Sequence, residues 1–184
     1  MKEMAPSICA SLLLSLMLAI LLICPTSARL SVKADEGVLH DICSPHRDPP
    51  FCLKALKSDP RTVTIDLVGL TNISIHLAEV AANKTFAFIG LLVNKTSDPK
   101  LKPQYEFCQQ FYESLVGDIE YAKDAWKGGD YFTVVVAADS CLTSTGDCRD
   151  EITTNASPLL RENKEVSFYC ETFLLVSKRL SGLS

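Results

Sequence analysis

Catalytic signatures are missing from this sequence. Histidine, the commonest general base, occurs three times in 184 residues, at His40, His46 and His76, and the three do not cluster. A nucleophile elbow (GxSxG), a zinc-protease motif (HExxH) and a phosphate-binding P-loop are all absent. Asp118 and Glu120 are close in sequence but point to different faces of a predicted helix. Because catalysis needs a nucleophile, a base or paired acids within reach, the sequence predicts a protein that is not an enzyme.

Blocks of like charge and closely spaced metal ligands are missing as well. The net charge is only −4 and the Lys and Arg residues are scattered, which excludes the basic patch of a nucleic-acid-binding protein. Structural zinc sites use short Cys-x2-Cys pairs or paired histidines, whereas the closest mature cysteines here are separated by eight and by six residues. We therefore expect no metal, no cofactor and no nucleic-acid partner.

Charge is also absent from Met4 to Ala28, and this segment has the form of a secretory signal peptide. Its apolar part, Ile8–Cys24, is followed by Pro25 and by small residues that suit cleavage after Ala28. Cleavage after Ala34 is the alternative. A retained anchor is a second interpretation, since about 17 to 25 apolar residues can span a bilayer. Pro25 argues against it, and we expect a secreted protein that has no membrane contact after cleavage.

The mature chain, residues 29–184, has the length of one domain and is predicted to be all-α. A helical hairpin is expected at 35–58, followed by four bundle helices at 60–98, 100–127, 130–152 and 158–181. Ser58-Asp59-Pro60 is predicted to cap the first of these, and Gly128-Gly129 to end the second. Short turns between long helices make neighbours antiparallel, which predicts an up-down-up-down four-helix bundle.

A mostly apolar set of residues recurs at alternating steps of three and four along each predicted bundle helix. The first stripe runs through residues 63, 67, 70, 74, 77, 81, 85, 88 and 92, and the second through Leu101, Tyr105, Cys108, Tyr112, Leu115, Ile119, Ala122 and Trp126. The third comprises Val134, Ala138, Cys141, Thr145, Cys148 and Ile152, and the fourth Leu159, Asn163, Val166, Cys170, Phe173, Ser177 and Leu180. A strand over 131–136 (YFTVVV) is a local rival, but no other segment offers an edge with which it could pair.

Six cysteines remain after the leader, an even number that suits an oxidising compartment. Bridged residues in an antiparallel hairpin must lie equally far from the turn, because their Cα atoms must come within about 7 Å. This condition predicts three disulfides: Cys43–Cys52, Cys108–Cys148 and Cys141–Cys170. For the third pair, two free buried thiols are the alternative.

Four sequons fit a secreted protein, and they make Asn72, Asn83, Asn94 and Asn155 candidate N-glycosylation sites. Pro158 directly follows the fourth sequon, which makes Asn155 the least favoured of the four.

The ordered motifs of the mature chain resemble the plant pectin methylesterase and invertase inhibitor family. They are Cys43-x8-Cys52 running into FCLKALKSDPRT, Cys108 with Tyr112 one turn later, GGDY, Asp139-Ser140 and GDCRD ending at Asp150. The resemblance covers about residues 39 to 180. It implies a disulfide-closed helical hairpin and a four-helix bundle whose second and third helices are bridged.

The resemblance implies a protein inhibitor that works in the plant apoplast or cell wall by rigid, noncovalent 1:1 docking. Pectin methylesterase is the first expected partner and acid invertase the second, because Tyr131-Phe132-Thr133 follows Gly129-Asp130 where cell-wall invertase inhibitors carry Pro-Lys-Phe. In the family, the second and third bundle helices usually dock on pectin methylesterase.

Tyr131 and Phe132 are candidate target contacts because they follow the Gly-Gly turn, although Phe132 could instead cap the core. The alternative from another class is a noninhibitory pollen or seed bundle, or a small-ligand carrier. A carrier needs a hollow core, whereas the stripes are rich in large side chains that predict a packed one.

Overall fold

The computed structural model describes residues 32–183, so the predicted signal peptide lies outside the described residues. Six α-helices follow one another within this range, with a short 3-10 turn at Pro60–Val63 between the second and the third. They are α1 (Glu36–Cys43), α2 (Pro49–Lys57), α3 (Leu67–Lys95), α4 (Leu101–Gly128), α5 (Tyr131–Glu151) and α6 (Leu159–Ser181). The 131–136 segment is helical, and the described residues contain no sheet beyond one isolated bridge between Lys33 and Asp66.

Helices α3 to α6 form an up-down-up-down four-helix bundle preceded by the α1–α2 hairpin, which confirms the predicted fold class. Helix α3 packs against α4 and α6, and α5 packs against the same two helices. Helices α3 and α5 therefore occupy diagonal corners, and their outer faces point in opposite directions. The hairpin lies against α6 and the start of α3.

Aspartate side chains fix where four of the helices begin. Each accepts a hydrogen bond from the backbone N–H three residues later, which satisfies one of the free donors of the first turn. The pairs are Asp35 with Val38, Asp48 with Phe51, Asp66 with Gly69 and Asp130 with Thr133, at 2.9 to 3.1 Å. Helix α4 ends at Gly128 and is capped by Gly129, whose φ of 76° is the left-handed conformation that glycine adopts without strain.

The predicted start of the first bundle helix at residue 60 is wrong. Asp59 does cap, but it caps the 3-10 turn, which Thr62 ties back to α2 through a 2.6 Å hydrogen bond to the Leu56 carbonyl oxygen. The helix proper begins after a second cap, at Asp66, and ends at Lys95 rather than residue 98.

The first predicted stripe is also wrong in part. Val63 is exposed, and the buried line of α3 runs instead through Leu67, Leu70, Ser74, Ala78, Ala82, Thr85 and Ile89. Every member of the third and fourth stripes is buried, as are all members of the second except half-buried Leu101 and Trp126.

Disulfides join Cys43 to Cys52 and Cys108 to Cys148, the first two of the predicted pairs. The first closes the hairpin. The second ties α4 to α5 at the end of the bundle away from the Gly128-Gly129 turn. All four half-cystines are fully buried.

The predicted bridge between Cys141 and Cys170 is wrong in this structure, where both are buried free thiols. Equal distance from the turn does bring the two side chains into hydrogen-bonding contact, but no disulfide joins them. The Cys141 thiol also points at the Leu115 carbonyl oxygen, 3.8 Å away. The hydrogen bond with Cys170 and burial raise the pKa of Cys141 far above its ordinary value. The group therefore stays a thiol and behaves as a small apolar side chain.

A buried hydrogen-bond chain links three bundle helices. The Tyr112 hydroxyl on α4 donates to Asn163 Oδ1 on α6 at 2.8 Å, and Asn163 Nδ2 donates to the Thr145 carbonyl oxygen on α5 at 2.8 Å. Tyr112 and Asn163 are both buried, so each polar atom depends on its partner in the chain.

Replacing Tyr112 with phenylalanine should lower the free energy of unfolding by about 1 to 3 kcal/mol, because Asn163 Oδ1 loses its buried donor. Urea denaturation of the variant and the wild type at neutral pH measures this difference.

Burial raises the pKa of Tyr112 far above its ordinary value. The unfolded phenol ionises at about pH 10 while the folded one stays neutral, so wild-type stability should fall as pH rises beyond about 10. The variant should lack this part of the alkaline loss, and equal slopes in both proteins would contradict the assignment.

Candidate functional site

The exposed aromatic residues of the described chain concentrate on one side of the bundle. Phe107 and Tyr121 lie on α4, and Phe132 lies on α5, where 65% of its surface is exposed. Val136, 53% exposed, follows Phe132 by one turn. We call these four residues the α4–α5 face. Exposed aromatic side chains beside polar ones are typical anchors of protein interfaces.

The helices hold the α4–α5 face in a fixed arrangement. Phe107 and Tyr121 are fourteen residues apart on α4, close to four full turns, so their side chains share one side of the helix. Asp118 precedes Tyr121 by one turn and accepts a 2.6 Å hydrogen bond from Ser140 of α5. This bond ties the two helices near the middle of the face, and the Cys108–Cys148 bridge ties them at one end.

Polar residues continue the exposed stripe of α5 beyond Val136. At the same helical spacing the exposed positions are Asp139, Thr143, Asp147 and Asp150. Asp150 forms an ion pair with Arg149 at 2.8 Å. Among the described residues, Asp139 and Asp147 have no ion-pair partner. The α5 part of the face is therefore apolar near the Gly-Gly turn and acidic toward the other end, where Phe107 of α4 adds an exposed aromatic ring. Apolar anchors beside polar residues are typical of a protein interface.

The structure separates the two predicted target contacts. Tyr131 is half-buried and packs against the small apolar cluster beneath the hairpin, whereas Phe132 points into solvent and does not cap the core. The first turn that carries Phe132 is well fixed, since the Asp130 carboxylate accepts hydrogen bonds from Thr133 Oγ1 at 2.7 Å and Thr133 N–H at 3.1 Å. These bonds hold the pKa of Asp130 below its usual value, so the cap stays charged.

Phe107, Tyr121 and Val136 belong to the same face but were not predicted. Each is a large apolar residue that falls outside the periodic stripe of its helix. That mismatch was the available signal, because a bundle helix buries its stripe and presents to solvent whatever apolar residues lie off it.

The histidines have structural or solvent-exposed positions rather than places in a catalytic group. His46 is buried; its Nδ1 accepts the Asp48 N–H at 2.8 Å, so Nε2 carries the hydrogen and donates to the Phe168 carbonyl oxygen at 3.0 Å. His40 and His76 are exposed. Within residues 32–183, no group of three or more His, Cys, Asp or Glu side chains is placed to hold a metal ion.

The bundle interior is filled, which bears on the carrier alternative. Tyr105, Tyr112 and Phe173 are among the large side chains that are completely buried there. A hollow of about 570 Å³ is open to solvent between the hairpin and the end of α6, with Ile42, Leu67 and Arg179 in its lining. A surface hollow of this kind is not the continuous internal cavity that a carrier would need.

Comparison with known proteins agrees with this architecture. Residues 37–174 match the family model described as plant invertase/pectin methylesterase inhibitor. A pectinesterase inhibitor from Actinidia deliciosa is 37% identical over 97% of this chain and 99% of its own length. An Arabidopsis thaliana cell wall / vacuolar inhibitor of fructosidase is 32% identical over 47% of this chain and 49% of its own.

A crystal structure of a mutant pectin methylesterase inhibitor from Arabidopsis superposes with a TM-score of 0.68 at 24% identity, over 74% of this chain and 93% of that one. The structural likeness shows a shared fold, and the sequence matches show membership of the family. The chain belongs to the plant invertase/pectin methylesterase inhibitor family, whose members inhibit enzymes and are not themselves catalytic.

Proposed function

We propose that this protein is a secreted inhibitor of pectin methylesterase that docks noncovalently, one to one, through the α4–α5 face. The observation that carries the proposal is the 37% identity to a pectinesterase inhibitor over nearly the whole of both chains. The exposed aromatics of α4 and α5 supply the surface, and these are the two helices that the family resemblance associates with docking on pectin methylesterase.

The rigidity of the α4–α5 face suits this role. Binding loses free energy whenever side chains or segments must be ordered at the interface, and a face that is already ordered avoids most of that loss. Here the Cys108–Cys148 bridge and the Asp118–Ser140 hydrogen bond fix α4 against α5 before any partner arrives. Occlusion of an active site requires no chemistry from the inhibitor, and members of the family are not themselves catalytic.

Acid invertase is the second candidate partner, and one observation favours it. Phe132 projects from the first turn of α5, two residues after Asp130, at the place where the family's cell-wall invertase inhibitors carry their Pro-Lys-Phe segment. The proline and the lysine are absent here, so Phe132 alone would have to enter the invertase active site.

Parallel inhibition assays on a plant pectin methylesterase and on an acid invertase decide between these partners. We expect the mature protein to inhibit the methylesterase and to leave the invertase unaffected at the same concentrations. Inhibition of invertase alone would reverse the assignment. If the protein inhibits neither enzyme, the proposed inhibitor function is wrong.

We also propose that the protein enters the apoplast or cell wall after cleavage at Ala28, not at Ala34. Ala34 is only 1% exposed, its N–H donates to the Ile65 carbonyl oxygen at 2.9 Å, and the Val32 carbonyl oxygen accepts the Leu67 N–H at 3.0 Å. Cleavage after Ala34 would remove residues 32–34 and their hydrogen bonds to the start of α3. Mass spectrometry of the secreted protein should give an N-terminus at Arg29, and one at Asp35 would contradict the proposal.

A further inference from the structure

Three of the four sequons lie in a single row along α3. Asn72, Asn83 and Asn94 are all exposed and are separated by eleven residues each. Eleven residues make about three turns of helix with a residual rotation of roughly 20°, so the three asparagines project from nearly the same side. Neighbouring sites are about 16 Å apart along the axis.

The helix surface between these asparagines is unusually apolar for an exposed face. The exposed positions in line with the asparagines are His76, Val80, Ala87 and Leu91, and exposed Lys84 lies at the edge of this row toward α6. Val80 and Leu91 are both more than half exposed. We call the seven residues from Asn72 to Asn94 in this row the α3 face.

Helix α3 as a whole is apolar enough, over an 18-residue window of mean hydropathy 1.2, to pass a length-and-composition test for a membrane span. The inner side of α3 is part of the bundle core, and packing explains why that side is apolar. Packing does not explain the apolar residues on the exposed side. The charged pairs lie at the flanks: Lys123–Glu79 toward α4 at 2.6 Å and Lys84–Glu162 toward α6 at 3.6 Å. The α3 face lies between these pairs, and its members His76 and Val80 border an open groove beside Tyr169 of α6.

We propose that Asn72, Asn83 and Asn94 carry N-linked glycans that cover the α3 face and keep the protein from associating through it. Glycans are bulky and strongly hydrated, and their attachment points frame the exposed Val80 and Leu91. The inference rests on secretion of the chain but not on the identity of its target enzyme.

The transfer requires a lipid-diphosphate-linked oligosaccharide as the sugar donor. The Asn side-chain nitrogen bonds to the anomeric carbon of the sugar, the bond from that carbon to the diphosphate oxygen breaks, and the amide gives up one proton. The lipid diphosphate leaves with the bonding electron pair.

Two of the three sequon hydroxyls are out of reach in the folded structure. The sequon hydroxyls of Ser74 and Thr85 are buried against the bundle core, and Ser74 Oγ already donates to the Thr71 carbonyl oxygen at 2.8 Å. An enzyme that reads the hydroxyl can reach it only in the extended chain. We therefore expect transfer during translocation and no transfer to the folded protein.

The position of α3 makes these glycans compatible with docking. Because α3 and α5 occupy diagonal corners, sugars on the α3 face point away from Phe132 and Val136. Glycans would therefore shield one side of the bundle and leave the α4–α5 face open to a partner.

Intact mass spectrometry of the full chain, secreted from a plant cell line, tests the occupancy. Asn72→Gln, Asn83→Gln and Asn94→Gln should each remove the mass of one glycan. Asn155→Gln, at the exposed turn sequon followed by Pro158, is the matched control and should remove none. Unchanged masses in two or more of the α3 variants would overturn the proposal.

Light scattering during gel filtration tests the shielding role. The triple Gln variant should elute at twice the monomer mass or more at concentrations where the glycosylated protein is a monomer. Adding Val80→Glu and Leu91→Glu to the triple variant should restore the monomer. A monomeric triple variant, or a glycosylated protein that still associates through α3, would contradict shielding. Neither readout depends on enzyme inhibition.

Discussion

Replacing Cys108 and Cys148 together with alanine should lower the free energy of unfolding by about 4 kcal/mol. The bridge closes a loop with a sequence separation of 40 that includes the whole α4–α5 turn. In the chain-entropy model the stabilisation grows with the logarithm of loop length, because a longer loop loses more freedom in the unfolded state. For a domain of this size, the expected loss corresponds to a fall in melting temperature of about 8 to 16 °C.

The Cys43–Cys52 bridge provides the matched comparison. Its sequence separation is 9, which gives about 2.5 kcal/mol in the same model. All four half-cystines are fully buried, so side-chain truncation removes similar packing in both double variants. Thermal unfolding followed by circular dichroism should therefore rank the Cys108/Cys148 variant below the Cys43/Cys52 variant. The reverse order would show that the hairpin bridge, rather than the α4–α5 bridge, is the main constraint.

Replacing Val136 with arginine should weaken inhibition of pectin methylesterase by about 30-fold or more, equivalent to about 2 kcal/mol at an interface hot spot. Val136 lies one turn from Phe132 in the apolar part of the α4–α5 face. A long charged side chain there would have to be buried without a matching partner or would hold the two surfaces apart. The inhibition constant of the purified variant measures the effect.

Val80→Arg is the control for this experiment. It makes the same substitution at a position that is 55% exposed, against 53% for Val136, but on the diagonal helix α3. Both variants should fold with wild-type melting temperatures, and only Val136→Arg should lose inhibition. Equal losses at the two positions would refute docking through the α4–α5 face.

The bundle was predictable from the sequence because the periodic stripes of α4, α5 and α6 coincide with the faces that these helices bury. Helix α3 was predicted less well, since it is apolar on its exposed side too and its periodicity does not single out the buried line. Its start was misplaced because two cap signals, Asp59 and Asp66, stand seven residues apart and the first one caps only a 3-10 turn.

The cysteine pairing shows what turn geometry can and cannot provide. Equal distance from a turn placed Cys108 opposite Cys148, and it also placed Cys141 beside Cys170. The spacing of cysteines around a turn therefore predicts which of them lie close together in the fold. Whether two adjacent thiols are joined is not encoded in the spacing, and here they remain thiols.

The docking surface was the least predictable feature. The Gly-Gly turn drew attention to Tyr131 and Phe132, but only the packing of the hairpin decides that Tyr131 is covered and Phe132 free. Phe107 and Tyr121 join Phe132 because α4 and α5 are neighbours in the bundle, a long-range arrangement that no local pattern contains.

Titration of a purified pectin methylesterase with the mature protein tests the proposed function most directly. Methanol release from pectin should fall linearly with added protein and reach its minimum at one molar equivalent, as expected for tight 1:1 docking. Full methylesterase activity in the presence of a large excess of correctly folded protein would contradict it.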